Sequence, residues 1–89
     1  MSKAKVDPSW VPPSERLRAR AAEIGLTQAV IRREMERRGI LVSAASVSLW
    51  LSGGRLPRGR RLQVLCDVLA IYEREQRDLC ADVAILRGV

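Results

Sequence analysis

The chain has no histidine, only two cysteines (Cys66 and Cys80) and only two lysines (Lys3 and Lys5) in 89 residues. Without histidine, and with two isolated thiols, it offers no credible zinc site, so no metal is expected. Two thiols in a chain rich in helix formers suit a reducing compartment better than a disulfide framework; both are read as small apolar side chains bound for the interior. No apolar run approaches the ~20 residues that span a bilayer. The basic N-terminus has no hydrophobic stretch behind it, which argues against a secretory signal. The expectation is a protein of the cytoplasm with no membrane partner. Strand patterns, internal repeats and low-complexity segments are also missing.

Catalysis is hard to place. There is no nucleophile with a base beside it, and Gly53-Gly54 lacks the flanking residues of a phosphate-binding loop. The carboxylates sit among arginines at helical spacings and do not form a paired acid/base site. The chain is therefore expected not to be an enzyme, and to need neither cofactor nor small-molecule ligand.

What the chain does have is arginine. Lys and Arg total 16 against ten Asp and Glu, giving a net charge of +6 and a pI near 10.6. Such a surplus favours polyanions. All but two of the sixteen are arginines, whose planar fork can grip a phosphate or a guanine edge with two hydrogen bonds. Hydrophobic residues make up 47%, enough for a core. A domain of this size buries only about 60–65% of its unfolded surface, so its stability margin is narrow.

Three regions follow from the pattern along the chain. Residues 1–13 read as an N-terminal arm, because Pro8, Pro12 and Pro13 oppose a regular helix; Trp10 is expected to cover part of the core. Residues 14–70 read as a helical domain. Ser14 is a candidate cap for a helix over 15–24, with Leu17, Ala21 and Ile24 inward and Gly25 closing it. Thr27 caps a second helix over about 28–38, with Ile31 and Met35 on one face and Gly39 at its end. The charged side chains between them, Arg32, Arg33, Glu34, Glu36, Arg37 and Arg38, are expected to form local ion pairs. Ser43 caps a third helix over 44–52, with Val47, Trp50 and Leu51 inward. Then comes a loop, residues 55–61, holding four arginines in seven residues. From about residue 60 a last helical stretch shows a heptad-like spacing of Leu62, Leu65, Leu69, Tyr72, Gln76, Leu79, Val83 and Leu86, uninterrupted by Gly or Pro until Gly88.

The segment 27–53 carries the functional signal. Its second helix begins at a serine cap and turns a face of small or hydroxyl residues outward. A helix entering a DNA major groove needs such residues near its start, since bulky ones would prevent close approach. Ser43, Ala44, Ala45, Ser46, Ser48 and Leu49 are the candidates for base contact. Serine can bond to base edges, and Ala or Leu can meet a thymine methyl.

Over residues 17–71 the chain resembles the lambda-repressor-like (Cro-like) helix-turn-helix regulators of phages and bacteria. The likeness rests on Gly25-Leu26-Thr27-Gln28, on Val42-Ser43 with residues 47–53 (Val-Ser-Leu-Trp-Leu-Ser-Gly), and on Pro57 with Leu65, Leu69 and Ala70 beyond it. It implies that Thr27 and Gln28 touch the DNA backbone, and that Arg55, Arg58, Arg60 and Arg61 clamp phosphates after the recognition helix. The sequence departs from the family in two places. The first motif helix and its turn are about one helical turn longer, and Arg32 stands where a small residue is usual.

The resulting expectation is an all-α, compact bundle of four to five helices containing a helix-turn-helix. Residues 71–89 form a C-terminal helix that either joins two subunits through Tyr72, Gln76, Leu79, Val83 and Leu86 or folds back to complete the monomer's own core. Its partners would be double-stranded DNA and a second copy of itself, and its function that of a transcriptional regulator, most simply a repressor on a palindromic operator. Two alternatives stay open on the sequence: a protein-interaction module of the same fold (an antitoxin or anti-repressor), and a non-specific nucleic-acid binder.

Overall fold

Each of the first two inter-helix joints is built by the same local device. At the end of the first helix the N–H of Gly25 donates to Ala22 O (3.2 Å) and that of Leu26 to Ala21 O (2.8 Å). At the end of the second, Gly39 donates to Glu36 O (3.0 Å) and Ile40 to Met35 O (3.0 Å). These crossed bonds are Schellman closures, which require a left-handed residue followed by an apolar one. Glycine supplies the first at φ +74 and +88. Leu26 and Ile40 supply the second and pack against the core.

The computed structural model describes residues 10–86. They form five helices and, among the described residues, no strand: α1 (Pro13–Glu23), α2 (Gln28–Arg37), α3 (Ala44–Ser52), α4 (Gly59–Val68) and α5 (Glu73–Leu86). α1 packs on α3 and α5, and α2 on α3 and α4. The radius of gyration of 13.1 Å is close to the ~12 Å expected of a compact chain this long.

The cores of α2 and α3 follow the sequence pattern. Ile31 and Met35 are buried on α2, and Val47, Trp50 and Leu51 on α3. α4 has five buried residues among its ten, Leu62, Val64, Leu65, Cys66 and Val68, which makes it the most enclosed helix of the bundle. Burial pushes the Cys66 thiol up to about 12, so it stays neutral and unreactive at ordinary pH. Cys80 is half-buried, its thiol also raised by burial, and both cysteines are free.

Four expectations are corrected. First, α1 starts at Pro13, one residue before the proposed cap. Proline fits the first helical position because the N–H it lacks would have no partner there. Ser14 is buried instead, its Oγ 3.0 Å from where a β-carbon on Gly53 would stand. Ile24 lies at the exposed end of α1 and is 39% accessible.

Second, the long C-terminal helix is two helices. Ala70 turns left-handed (φ 57), and the chain closes as at the earlier joints, Ala70 N–H to Asp67 O (3.1 Å) and Ile71 N–H to Cys66 O (2.8 Å). Third, Leu79 and Val83, expected between subunits, are 1% and 2% exposed within this chain's own core. α5 folds back over α1, because an isolated stripe of Leu and Val gains roughly 1.5–3 kcal/mol per side chain by burial. Ile71, Leu79 and Val83 share one core with α1–α4, so no structural seam separates residues 71–86 from the rest. Tyr72 and Leu86 do remain exposed, and Gln76 is half-buried.

Fourth, Trp10 does not enter the core. It is 43% exposed and its indole N–H donates to Asp82 Oδ2 (3.3 Å) on α5. Residues 1–9 of the proposed arm, and residues 87–89, lie outside the described residues.

Candidate nucleic-acid interface

α2 and α3 begin alike. Thr27 Oγ1 accepts from Val30 N (3.2 Å), and Ser43 Oγ accepts from Ser46 N (3.0 Å). Each side chain thus satisfies one of the amides that a helix start leaves unpaired. Gln28 is the first residue of α2 and is exposed.

α3 divides cleanly by face. Val47, Trp50 and Leu51 hold it against α1 and α2, while Ser43, Ala44, Ala45, Ser48 and Leu49 are exposed. The exposed row has no charge and no side chain longer than leucine. Ser46 sits apart from it. It is half-buried, and its Oγ receives the Ser43 hydroxyl at 3.1 Å. The helix closes on one acceptor: Leu49 O takes bonds from Gly53 N (3.0 Å), Arg55 N (3.3 Å) and Ser52 Oγ (3.2 Å). The same bonds turn the arginine loop back toward α3.

A cleft of about 420 Å³ opens between this loop and the start of α3. The connector contributes Leu41 and Val42, α3 contributes Ser46 and Trp50, the loop contributes Arg55 and Arg58, and α4, which begins at Gly59 and so takes in the end of the expected loop, contributes Arg61. Arg60 is exposed but does not line it. None of these four arginine side chains makes a hydrogen bond or ion pair within the described residues. Sequence reasoning did not foresee this cleft, because it depends on how the loop and the connector meet. Leu41, assigned to an apolar connector, is 76% exposed at its edge.

Other arginines are committed to the fold. Arg16 pairs with Asp82. Arg18 donates to Leu51 O (3.2 Å), and Arg20 to Leu69 O (2.8 Å) and Ala70 O (3.0 Å). Local ion pairs form at the end of α2, as expected, but they gather on one carboxylate. Glu34 takes both Arg37 (3.0 Å) and Arg38 (2.9 Å), whereas Arg32, Arg33 and Glu36 make no ion pair within the described residues. The Arg38 hydrogen bond, with Arg37 beside it, holds the Glu34 carboxyl below its usual range. Among the described residues no cluster of His, Cys, Asp or Glu could hold a metal, and no helix is long and apolar enough to cross a membrane.

Comparison with protein-family models, with curated proteins and with solved structures gives no match for this chain. The reading of function therefore rests on the site itself.

Proposed function

We propose that the chain is a sequence-specific DNA-binding regulator, most simply a repressor, in which α2 and α3 act as a helix-turn-helix of the lambda-repressor-like kind and α3 is the recognition helix. The observation that carries this is the uncharged, short-chained outer face of α3, Ala44-Ala45-Ser48-Leu49, beside four arginines of the following loop and the first turn of α4 whose side chains have no partner among the described residues. Small residues permit close approach to base edges, and arginines beside them can hold the phosphates on either side. Thr27 and Gln28 at the start of α2 would take a further phosphate, through the amides of that helix end.

Selection from a randomised duplex library tests this. A regulator enriches one consensus and prefers it to bulk DNA by ~10³-fold or more. Ala45→Glu or Ser48→Glu should abolish that preference without altering the thermal melt, since both positions are exposed and a carboxylate there would face phosphates. A folded Glu variant with wild-type affinity would overturn the assignment of α3, and binding without any preferred sequence would leave a non-specific binder.

Reading a palindrome takes two copies, with recognition helices about 34 Å apart. With Leu79 and Val83 in the core, the surface left for pairing is Tyr72, Ile85 and Leu86, which are 54%, 70% and 52% exposed. Sedimentation equilibrium of the wild type and of Ile85→Asp/Leu86→Asp checks this. A dimer that becomes a folded monomer is expected, and an unaffected dimer would place the interface elsewhere. A wild type that is monomeric with and without DNA would remove the homodimer from the reading.

A further inference from the structure

We propose that the cleft between the connector, α3 and the arginine loop binds a small phosphorylated organic molecule, with its phosphates on Arg55, Arg58 and Arg61 and its apolar or aromatic body against Leu41, Leu56 and Pro57. Occupancy of the cleft does not depend on the DNA-binding reading; its effect on DNA, given below, rests on that reading.

The cationic side of the cleft is unbalanced. Three arginines line one concavity, and no acidic residue does. Like charges gathered at one place repel, and an anion placed among them relieves that repulsion while accepting forked hydrogen bonds. Ser46 adds a donor. Its Oγ accepts the Ser43 hydroxyl, which leaves its own O–H free to turn into the cleft.

Size and lining argue for more than a bare phosphate. The volume of about 420 Å³ lies within the ~300–1,000 Å³ typical of small-molecule sites. The apolar part of the lining comes from Leu41-Val42, from Trp50 and from Leu56-Pro57, beside the hydroxyls of Ser43 and Ser46. Leu41 is held in the open, 76% exposed, at the rim of a polar cavity, where a ligand body would cover it. A charged cluster beside an apolar wall is the chemistry that recognises a nucleotide-like molecule, with its phosphates at one end and its flat body at the other. Because Arg55, Arg58 and Arg61 would also serve a DNA backbone, occupancy of the cleft would compete with DNA and make such a molecule a regulator of binding.

The experiment is isothermal titration of the intact chain with ATP and, separately, with tripolyphosphate at constant ionic strength. One ATP per chain is expected, with tripolyphosphate weaker by about tenfold because it lacks the body (~1.4 kcal/mol). Arg55→Ala/Arg58→Ala/Arg61→Ala should weaken ATP by more than tenfold, while Arg32→Ala/Arg33→Ala, which removes unpaired charge outside the cleft, should not. None of these side chains bonds within the described residues, so the variants should melt as the wild type does. No saturable ATP binding up to ~1 mM, equal affinity for tripolyphosphate, or an equal loss in the Arg32/Arg33 variant would each overturn the proposal. Such failure would leave the DNA reading untouched, since that stands or falls on library selection and on Ala45 and Ser48.

Discussion

Arg20 bonds through two of its nitrogens to the carbonyls of Leu69 and Ala70, at 2.8 and 3.0 Å, just where α4 runs out of amides to pair them. A planar fork is matched to two neighbouring acceptors in a way that a single ammonium is not. A cation at a helix C-terminus is also favoured by the helix dipole. Arg20→Lys should therefore keep the charge and still lose most of the contribution. Hydrogen bonds to charged groups are worth about 1.5–3 kcal/mol each, discounted here because the side chain is partly exposed. A fall of about 1–2 kcal/mol in chemical denaturation is expected for Arg20→Lys, close to that of Arg20→Ala. A lysine variant as stable as the wild type would show that charge alone matters. Arg16 and Arg18 each reach a single distant acceptor, Asp82 and Leu51 O. In sequence all three look like ordinary surface cations. Their partners lie 66, 33 and 49 or 50 residues away, so nothing local to α1 reveals them.

At the scale of elements, the joint between α4 and α5 is the place where local signals mislead. Gly25 and Gly39 announce the ends of α1 and α2, because glycine adopts left-handed backbone at no steric cost. Ala70 occupies the same position at φ 57 and announces nothing, since alanine is the best of the helix formers. The apolar spacing also runs on through the break. Leu65 and Leu69 before it, and Leu79 and Val83 after it, all face one core, so a single pattern serves two helices. Left-handed backbone costs an alanine roughly 1–2 kcal/mol. Ala70→Gly should recover part of that, offset by the larger entropy glycine loses on folding, and raise Tm by a few degrees. A lowered Tm would mean that the methyl group packs well enough to outweigh the strain. By contrast, the ends that face the candidate site were legible, because Thr27 and Ser43 act on amides three residues away. The outer face of α3 was legible too, from the spacing of Val47, Trp50 and Leu51. The cleft was not, since it needs the loop, the connector and α3 to be in place together.

For the whole molecule, the net charge of +6 conceals a division of labour. Arg16, Arg18, Arg20, Arg37 and Arg38 are tied to acceptors of the fold, while Arg55, Arg58, Arg60 and Arg61 are exposed and without internal partners among the described residues. Binding to DNA releases counterions only for phosphates that are actually neutralised, so salt dependence counts the second group and not the first. Each phosphate contact contributes about 0.9 to the slope of log K against log salt. Replacing all four loop arginines by alanine should lower that slope by up to ~3–4, and should do so on specific and random duplexes alike, because phosphates carry no sequence. Arg18→Ala should leave the slope unchanged and act on stability alone. Equilibrium binding between 50 and 200 mM salt, the ~10³–10⁵-fold range over which such proteins lose affinity, provides the measurement. A quadruple variant with the wild-type slope would show that the loop does not meet DNA. A reduced slope on random DNA with the sequence preference intact would locate phosphate binding in the loop and base reading in α3.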